Sequence, residues 1–189
     1  TPCLSSAASD VYKRQMIDIE TLGTSPDCVV LSVGAVKFDP FTNIEPHNRL
    51  LWRPSTEEQF KANRTVLDST LEWWATQPKH IQEEAFTEEG RVQLLEFFKD
   101  LNKYLVGVDK IWCQGPQFDM VILEDLFNQF KHHTNWAFWQ IQDCRTLFNM
   151  MPVDPRKAIE THAHSADADA FVQAVCVQEA FKHFNVKER

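Results

Sequence analysis

The sequence lacks the features that mark several specialised classes of protein. No two of its five cysteines have the two-residue gap of a zinc knuckle or a dithiol redox motif. Isolated thiols of this kind are typical of the reducing cytosol, so we expect a cytoplasmic location. No apolar run approaches the ~18 residues of a membrane-spanning helix, and no internal repeat is present. These absences favour a globular protein with no membrane partner.

Positive charge is also scarce. The chain has 19 Lys and Arg against 27 Asp and Glu, which gives a formal net charge of −8. Such a balance at first counts against a polyanionic partner. The objection weakens if several carboxylates converge on divalent ions, because the ions reverse the local field. Net charge alone therefore decides little.

The composition is that of a folded domain. Hydrophobic residues make up 43% and aromatic residues 12% of the 189 residues, which argues against disorder. Residues 1–15 differ, because they are polar, rich in Ser and Ala, and without strand or helix periodicity. We expect them to be a non-native or disordered leader, with a genuine flexible arm as the alternative, and residues 16–189 to form a single domain.

The pattern of apolar residues from residue 16 onward predicts three strands and then alternating helices and strands. The predicted strands are residues 16–20, 28–38, 43–52, 110–113 and 138–141. The predicted helices are residues 70–77 with Ser69 as N-cap, a short helix after Pro78, and residues 91–105, 117–130 and 165–184. This order indicates an α/β domain in which helices flank a mixed sheet, an antiparallel meander extended by parallel strands.

Two carboxylates lie on the first predicted strand. Residues two apart on a strand point to the same face, so Asp18 and Glu20 project together with a Cα spacing of ~7 Å. Two like charges side by side in a core strand are costly unless a cation lies between them. Pairing with Lys or Arg is the alternative explanation.

A third carboxylate, Asp119, lies on the apolar face of a predicted helix. It precedes Ile122 and Leu123 by three and four residues, which places it on the side of the helix that faces the sheet. A lone buried carboxylate costs several kcal/mol unless it is protonated, paired or bound to a metal. A role in capping the helix N-terminus is the alternative.

A fourth carboxylate lies close to a histidine near the C-terminus. Asp169 shares a helix face with Val172 and Cys176, and His164 precedes it by five residues in the loop that enters the helix. A histidine beside carboxylates can be a metal ligand, a structural hydrogen-bond donor or a general base. An ordinary surface-loop histidine is the alternative.

Together, four inward carboxylates on three separate elements require positive charge, which two divalent ions would supply. Ligands that are all oxygen select hard ions such as Mg²⁺ or Mn²⁺ over zinc. Two such ions ~4 Å apart are the arrangement that activates a water and stabilises the leaving oxygen in phosphodiester cleavage. The pattern thus favours a metal-dependent nuclease.

Three motifs in this order resemble those of the DnaQ-like, or DEDD, exonucleases of the RNase H-like superfamily. The motifs are DIETLGT at residues 18–24, QGPQFD at residues 114–119 and HSADAD at residues 164–169. The spacing of His164 and Asp169 is similar to that of the subgroup with a histidine base. The subgroup with tyrosine is disfavoured, since the only tyrosines are Tyr12 and Tyr104.

The resemblance implies an RNase H-like fold and a 3′-5′ exonuclease that releases nucleoside 5′-monophosphates from single-stranded RNA or DNA. His164 would act as the catalytic base, while His162 and Asp167 stand at other spacings and would have at most an indirect role. The carboxylates would hold two Mg²⁺ or Mn²⁺ ions, and the implied ligands are Asp18, Glu20, Asp119 and Asp169.

The stretches at residues 16–40 and 69–77 are similar to small exonucleases of tailed phages and to the bacterial exoribonucleases called RNase AS. This branch implies that Leu22 wedges against the terminal base and that Gly23 and Thr24 meet the 3′ end. Adjacent helix residues point ~100° apart, so one ring of the pair Trp73 and Trp74 is a candidate for stacking on a base. That role is assigned to Trp74, with core packing of both rings as the alternative.

Two other functions remain open from the sequence. A catalytically silent module that grips strand ends would keep the fold, although a binder has no need of four metal-ligand acids. A proofreading subunit of a polymerase is the second alternative, and the short chain shows no clear extra helix for docking. The choice between RNA and DNA and the oligomeric state, including a homodimer, stay undecided.

Overall fold

Three long strands form an antiparallel meander in the computed structural model, which describes residues 13–159 and 164–188. They are β1 (Arg14–Thr21), β2 (Val30–Phe38) and β3 (His47–Pro54). β2 pairs antiparallel with both β1 and β3, as the sequence predicts. β1 begins two residues before the predicted boundary at Met16. Arg14 and the buried Gln15 therefore belong to the sheet, and the first strand is longer than the predicted residues 16–20.

Three short strands extend the meander at both edges. β4 (Arg91–Val92) runs parallel to β3, β5 (Lys110–Cys113) parallel to β1, and β6 (Ile141–Asp143) parallel to β5. The strand order is β4-β3-β2-β1-β5-β6. The predicted mixed sheet of an α/β domain is thereby confirmed. Because β1 and β5 are parallel neighbours, their carboxyl ends meet at one edge of the sheet, where ligand sites of α/β folds form.

Helices cover both faces of this sheet. Those in the described ranges are α1 (Thr56–Lys61), α2 (Asp68–Ala75), α3 (Lys79–Phe86), α4 (Leu94–Tyr104), α5 (Pro116–Gln129), α6 (Cys144–Asn149) and α7 (Ala166–His183). Short 3₁₀ turns occupy Phe138–Gln140 and Pro155–Ala158. None of the helices in the described ranges is long and apolar enough to cross a membrane.

The alternation of side chains along β1 divides the core into two layers. Ile17 and Ile19 pack with residues of α4 and α5 on one face of the sheet. Met16 packs with residues of α6 and α7 on the other face. Since side chains two apart share a face, Asp18 and Glu20 lie on the same side of β1 as Met16, toward α7. A third cluster lies where α2 and α3 cover the end of the sheet, around Trp74 and Ile81.

The structure departs from the predicted elements in places where local pattern is weak. α1, β4 and α6 were not predicted, because each has six residues or fewer and too little periodicity to stand out. The predicted strand at residues 138–141 is mostly a 3₁₀ turn. Ser69 is not the N-cap of α2, because the helix already begins at Asp68 with Leu67 in the cap position.

Candidate active site

The first two carboxylates lie near the carboxyl end of β1. Asp18 and Glu20 are half-buried, and both border a cleft of about 330 Å³ on the α7 side of the sheet. Asp18 pairs across the sheet with Gly34 of β2. The strand therefore fixes the two acids on one face, as their two-residue spacing predicts.

Gly34 allows α7 to approach the sheet directly. A Cβ atom built on Gly34 would lie 2.1 Å from the carbonyl carbon of Ala166 and 2.2 Å from the amide nitrogen of Asp167. The first turn of α7 thus rests on the backbone of β2, beside the pairing position of Asp18. No side chain larger than hydrogen fits here without displacing the helix, which carries Asp169.

Asp119 reaches the same region from the end of β5. Gly115 turns the chain with φ = 101°, and α5 begins at the next residue. The backbone N–H of Gly115 donates to Asp143 at 3.1 Å, which ties this turn to the end of β6. Asp119 lies in the first turn of α5 and is only 3% exposed, on the buried side of the helix as predicted.

His164 and Asp169 are joined by a short hydrogen-bonded turn before α7. The backbone N–H of His164 donates to a carboxylate oxygen of Asp169 at 2.9 Å. His164 has a left-handed backbone, with φ = 69°, which is uncommon for a residue with a side chain. Potential ligand atoms of Glu20, His164 and Asp169 all lie within 4.8 Å of one another.

The cleft brings together three of the four acids and the histidine that the motifs single out. Its lining includes Asp18, Glu20, Asp169 and His164, and it also includes Gln114, Arg156 and Gln173. Asp119 is not part of the lining, but its charge raises the pKa of Asp18 and of Glu20, which places it close behind them. His162 lies outside the described residues, and Asp167 forms an ion pair with Arg49.

The acids raise one another's proton affinity. Burial, together with the charges of Asp119, Glu20 and Asp169, raises the pKa of Asp18 well above its ordinary value. Burial and the neighbouring acids raise the pKa of Glu20 to about 8, and burial raises that of Asp119 to about 7. Burial also raises the pKa of Asp169. A cluster with these properties is unfavourable as four anions unless positive charge enters it.

The protein itself supplies little of that charge. Within residues 13–159 and 164–188, no Lys or Arg forms an ion pair with any of the four acids. Neutral groups donate to two of the acids: the side-chain amide of Gln173 donates to Asp18 at 2.7 Å, and the backbone N–H of His164 donates to Asp169. Carboxylate oxygens without basic partners are the ligand set of hard divalent ions such as Mg²⁺ and Mn²⁺. The residues present fit such ions.

A second cleft adjoins the first at Ile19 and Glu20, which border both. It encloses about 270 Å³, and hydroxyl groups and aromatic rings line most of it. Its remaining lining residues are Thr21, Gly23, Thr24, Ser69, Thr70, Trp73, Trp74 and Phe118. Gly23 and Thr24 thus lie beside the acids. Leu22 does not line this cleft, because it is 4% exposed and packs in the core with Val29 and Leu31.

The two adjacent tryptophans differ in accessibility. Trp74 is 1% exposed, and its ring N–H donates to the carbonyl of Thr21 at 3.0 Å. Trp73 is 42% exposed, and its ring meets the His164 ring edge-on at a centroid distance of 4.8 Å. Trp73 is therefore the accessible ring, whereas Trp74, the ring predicted to stack on a base, is buried at the border of the second cleft. The alternative, in which both rings pack in the core, describes Trp74 but not Trp73.

Sequence reasoning missed Gln173, Arg156 and the role of Gly34. Gln173 lies four residues after Asp169, one helical turn along α7, and this spacing could have indicated that it faces the same cleft. Arg156 lies on a short 3₁₀ turn, where no sequence periodicity indicates which way a side chain points. The close approach at Gly34 depends on a helix more than a hundred residues away, so no local signal reveals it.

Comparison with known proteins places this architecture among exonucleases. A curated exodeoxyribonuclease of enterobacteria phage T4 is 25% identical over 156 residues, which cover 69% of this chain and 68% of the relative. Exonuclease I of E. coli in complex with a dA16 oligonucleotide has a TM-score of 0.59 at 15% identity. That match covers 91% of this chain and 42% of exonuclease I, so this chain spans less than half of that protein.

Two further solved structures share the fold over more of their length. Exonuclease X in complex with 5′-overhanging duplex DNA has a TM-score of 0.58 at 13% identity, covering 92% of this chain and 94% of that one. The Mg²⁺- and Mn²⁺-bound form of S. pombe Pop2p has a TM-score of 0.57 at 11% identity, covering 92% and 84%. The expected RNase H-like exonuclease fold is thereby confirmed.

The family model that matches extends over most of the chain. It describes the Rv2179c-like 3′-5′ exoribonuclease domain and matches residues 13–181. The match begins one residue before β1 and ends within α7, so it includes every element that carries a candidate site residue. The chain belongs to the family of Rv2179c-like 3′-5′ exoribonuclease domains, and hence to the DnaQ-like exonucleases.

Proposed function

We propose that this chain is a divalent-metal-dependent enzyme that removes nucleotides one at a time from the 3′ end of single-stranded RNA or DNA, releasing nucleoside 5′-monophosphates. The observation that carries the proposal is the convergence of ligand atoms of Glu20, His164 and Asp169 within 4.8 Å, beside Asp18 and Asp119. Membership of an exoribonuclease family supports the direction of cleavage.

The four acids would hold two Mg²⁺ or Mn²⁺ ions. When bound, the ions supply the positive charge that lowers the pKa of an attacking water and stabilises charge on the phosphate. The protein's part is to fix the acids: β1 orients Asp18 and Glu20, the first turn of α5 orients Asp119, and the contact of α7 with Gly34 sets the depth of Asp169. Gln173 restrains one oxygen of Asp18.

His164 would accept the proton of the attacking water. Its backbone is held by the carboxylate of Asp169, and its imidazole packs nearly perpendicular to the Trp73 ring. An imidazole nitrogen can accept a proton and pass it on, which is the task of a general base. The ring remains partly accessible, so the proton can pass on to solvent.

The second cleft would receive the terminal nucleoside. The accessible Trp73 ring offers a surface for base stacking, and Thr24 and Ser69 offer hydroxyl groups to the sugar. Glu20 borders both clefts, so a nucleoside bound here would place its 5′ phosphate next to the acids. The buried position of Leu22 supports a packing role beneath this cleft more than a wedge against the base.

A single experiment separates the enzyme from a silent end-binding module. Matched RNA and DNA oligonucleotides, labelled at the 5′ end, are incubated with the protein in Mg²⁺ and in EDTA. We expect a ladder that shortens one nucleotide at a time in Mg²⁺ and an intact strand in EDTA. Retention of the strand without shortening would favour the binding module, and shortening that persists in EDTA would contradict metal dependence.

A further inference from the structure

One basic side chain borders the acidic cleft, and the proposed chemistry gives it no task. Arg156 lies on the 3₁₀ turn Pro155–Ala158 and is the basic residue among those that line the cleft in the described part of the chain. Its side chain is 37% exposed, so it reaches both the protein and the solvent within the cleft. A guanidinium is charged at every working pH and suits phosphate recognition.

Three neighbours hold the Arg156 guanidinium in one orientation. The carboxylate of Asp154 accepts from Nη2 at 2.6 Å and from Nε at 3.0 Å. The side-chain oxygen of Gln114 accepts from Nη1 at 2.7 Å, and the Phe148 ring lies 5.7 Å from the guanidinium carbon. Asp154 is itself fixed, because it accepts from the backbone N–H of Arg156 at 3.0 Å.

This arrangement leaves part of the guanidinium uncommitted. Of its five N–H groups, Asp154 takes the one on Nε and one on Nη2, and Gln114 takes one on Nη1. One N–H therefore remains on each of the two terminal nitrogens. Terminal N–H donors of this kind are the groups through which arginine binds phosphate oxygens.

The position of Arg156 relative to the two clefts indicates which phosphate it meets. Arg156 borders only the acidic cleft, whereas Glu20 borders both clefts. With the terminal nucleoside in the second cleft and the scissile phosphate at the acids, the rest of the strand continues through the acidic cleft. Arg156 then lies on the upstream side of the scissile bond.

We infer that Arg156, oriented by Asp154 and Gln114, binds the phosphate of the linkage immediately 5′ to the scissile one and so selects a strand with at least one further nucleotide. The inference rests on the proposed function for the direction of the strand. It gives the turn Pro155–Ala158 a role in recognition, and it makes Asp154 and Gln114 positioning residues for the arginine.

A cycle of one substitution and one substrate change tests this contact. The substrates are 5′-labelled oligonucleotides in which a neutral methylphosphonate replaces the second or the third linkage from the 3′ end. Wild type and Arg156→Gln are compared by kcat/KM for the first cleavage in Mg²⁺ and by Kd in Ca²⁺, measured by fluorescence anisotropy. Lys157→Gln, on the same turn and with the same change of charge, is the matched control.

Loss of an arginine–phosphate contact should lower kcat/KM on the unmodified strand by roughly 10- to 100-fold. The methylphosphonate at the second linkage should cost wild type and Lys157→Gln a similar factor, but Arg156→Gln less than about 2-fold, since partners of one contact are not additive. At the third linkage the two losses should multiply. Equal sensitivity of wild type and Arg156→Gln at the second linkage would overturn the inference.

The two readouts keep this inference separate from the proposed function. If wild type fails to shorten the unmodified strand, the nuclease proposal fails, and the Kd cycle still decides whether Arg156 contacts the second linkage. If wild type cleaves normally, but the effects of Arg156→Gln and of the second-linkage methylphosphonate multiply in both kcat/KM and Kd, only the role of Arg156 fails. Asp154→Asn should produce a smaller loss than Arg156→Gln with the same pattern of sensitivity.

Discussion

The α7-facing side of β1 changes character between its two ends. At one end Met16 is fully buried among Val36, Phe38 and Trp112 and contributes to the core. Two and four residues later, the same face carries Asp18 and Glu20, whose pKa values are raised by burial and by the charges of neighbouring acids. One end of the strand stabilises the fold, and the other holds charges that destabilise it. One face of a single strand therefore contributes both to the hydrophobic core and to the candidate active site.

The largest effect is expected from removing a carboxylate at the acidic end. Asp119→Asn keeps the shape of the side chain and removes its charge. Loss of a residue that only hydrogen-bonds to a metal ligand already costs roughly 10- to 100-fold in metal affinity or activity. We therefore expect the loss of a ligand itself to reduce cleavage by more than that. Metal-free stability, measured by urea unfolding, should rise, since one repulsive charge is gone. A less stable Asp119→Asn protein would contradict the repulsion.

His164→Ala should act on chemistry while leaving the acids in place. Loss of a general base lowers the rate by typically 10²- to 10⁴-fold. Because Asp169 accepts from the backbone of His164 and not from its ring, metal binding should change less than the rate does. Single-turnover cleavage and a Mn²⁺ titration measure the two separately. Near-normal turnover in the purified variant would defeat the role assigned to His164.

Gly34→Ala should affect both the packing of the fold and the acidic site at once. The added methyl group would lie about 2 Å from the backbone of α7, so the helix must move. A displacement of about 1 Å at a site can cost on the order of 10²-fold in rate. We therefore expect lower activity together with lower stability, measured by cleavage rate and by urea unfolding of the same sample. An unchanged rate would show that α7 does not set the position of Asp169.

Met16→Ala should affect stability alone and gives the smallest change in rate. Truncation of a buried methionine costs about 2–5 kcal/mol, because it removes apolar contacts and leaves a cavity. The acids lie beyond it on the strand, so cleavage per folded molecule should remain near the wild-type value. Urea unfolding and active-site titration check the two halves. A rate loss comparable to that of Asp119→Asn would remove the distinction between the two ends.

Much of this site was accessible from sequence, and the reasons are specific. The two-residue spacing of Asp18 and Glu20 predicts their shared face, since strand geometry alone determines it. The helical spacing from Asp119 to Ile122 predicts its burial for the same kind of reason. Both are local rules of one element, and both describe the structure correctly.

What sequence left undetermined depends on contacts between distant elements. From its neighbours in sequence, Gly34 is only a residue with low strand propensity. The close approach of α7 is what requires glycine at this position. Trp73 and Trp74 differ only in which side of α2 meets the core, and a short helix does not reveal that direction. α1 also escaped prediction. Its Gln59 is fully buried, because its side chain both accepts from and donates to the backbone of Val30, a pairing that polarity alone would not suggest.

The most direct test of the account is the thermal stability of the chain with and without divalent ions at two pH values. The pKa of Glu20 is raised from an ordinary 4.5 to about 8 and that of Asp119 from 3.8 to about 7. At these two acids the folded metal-free chain therefore holds protons that the unfolded chain releases, so their contribution to stability falls as pH rises from about 5 to 8.

Differential scanning fluorimetry in EDTA and in Mn²⁺ measures this directly. We predict that Mn²⁺ raises the Tm strongly near pH 8 and little near pH 5, because protons compete with the ion for the same oxygens. The Asp119→Asn protein should show a smaller rise near pH 8. A Tm that is indifferent to Mn²⁺ near pH 8, or a rise of equal size in Asp119→Asn, would contradict a carboxylate cluster that binds divalent ions.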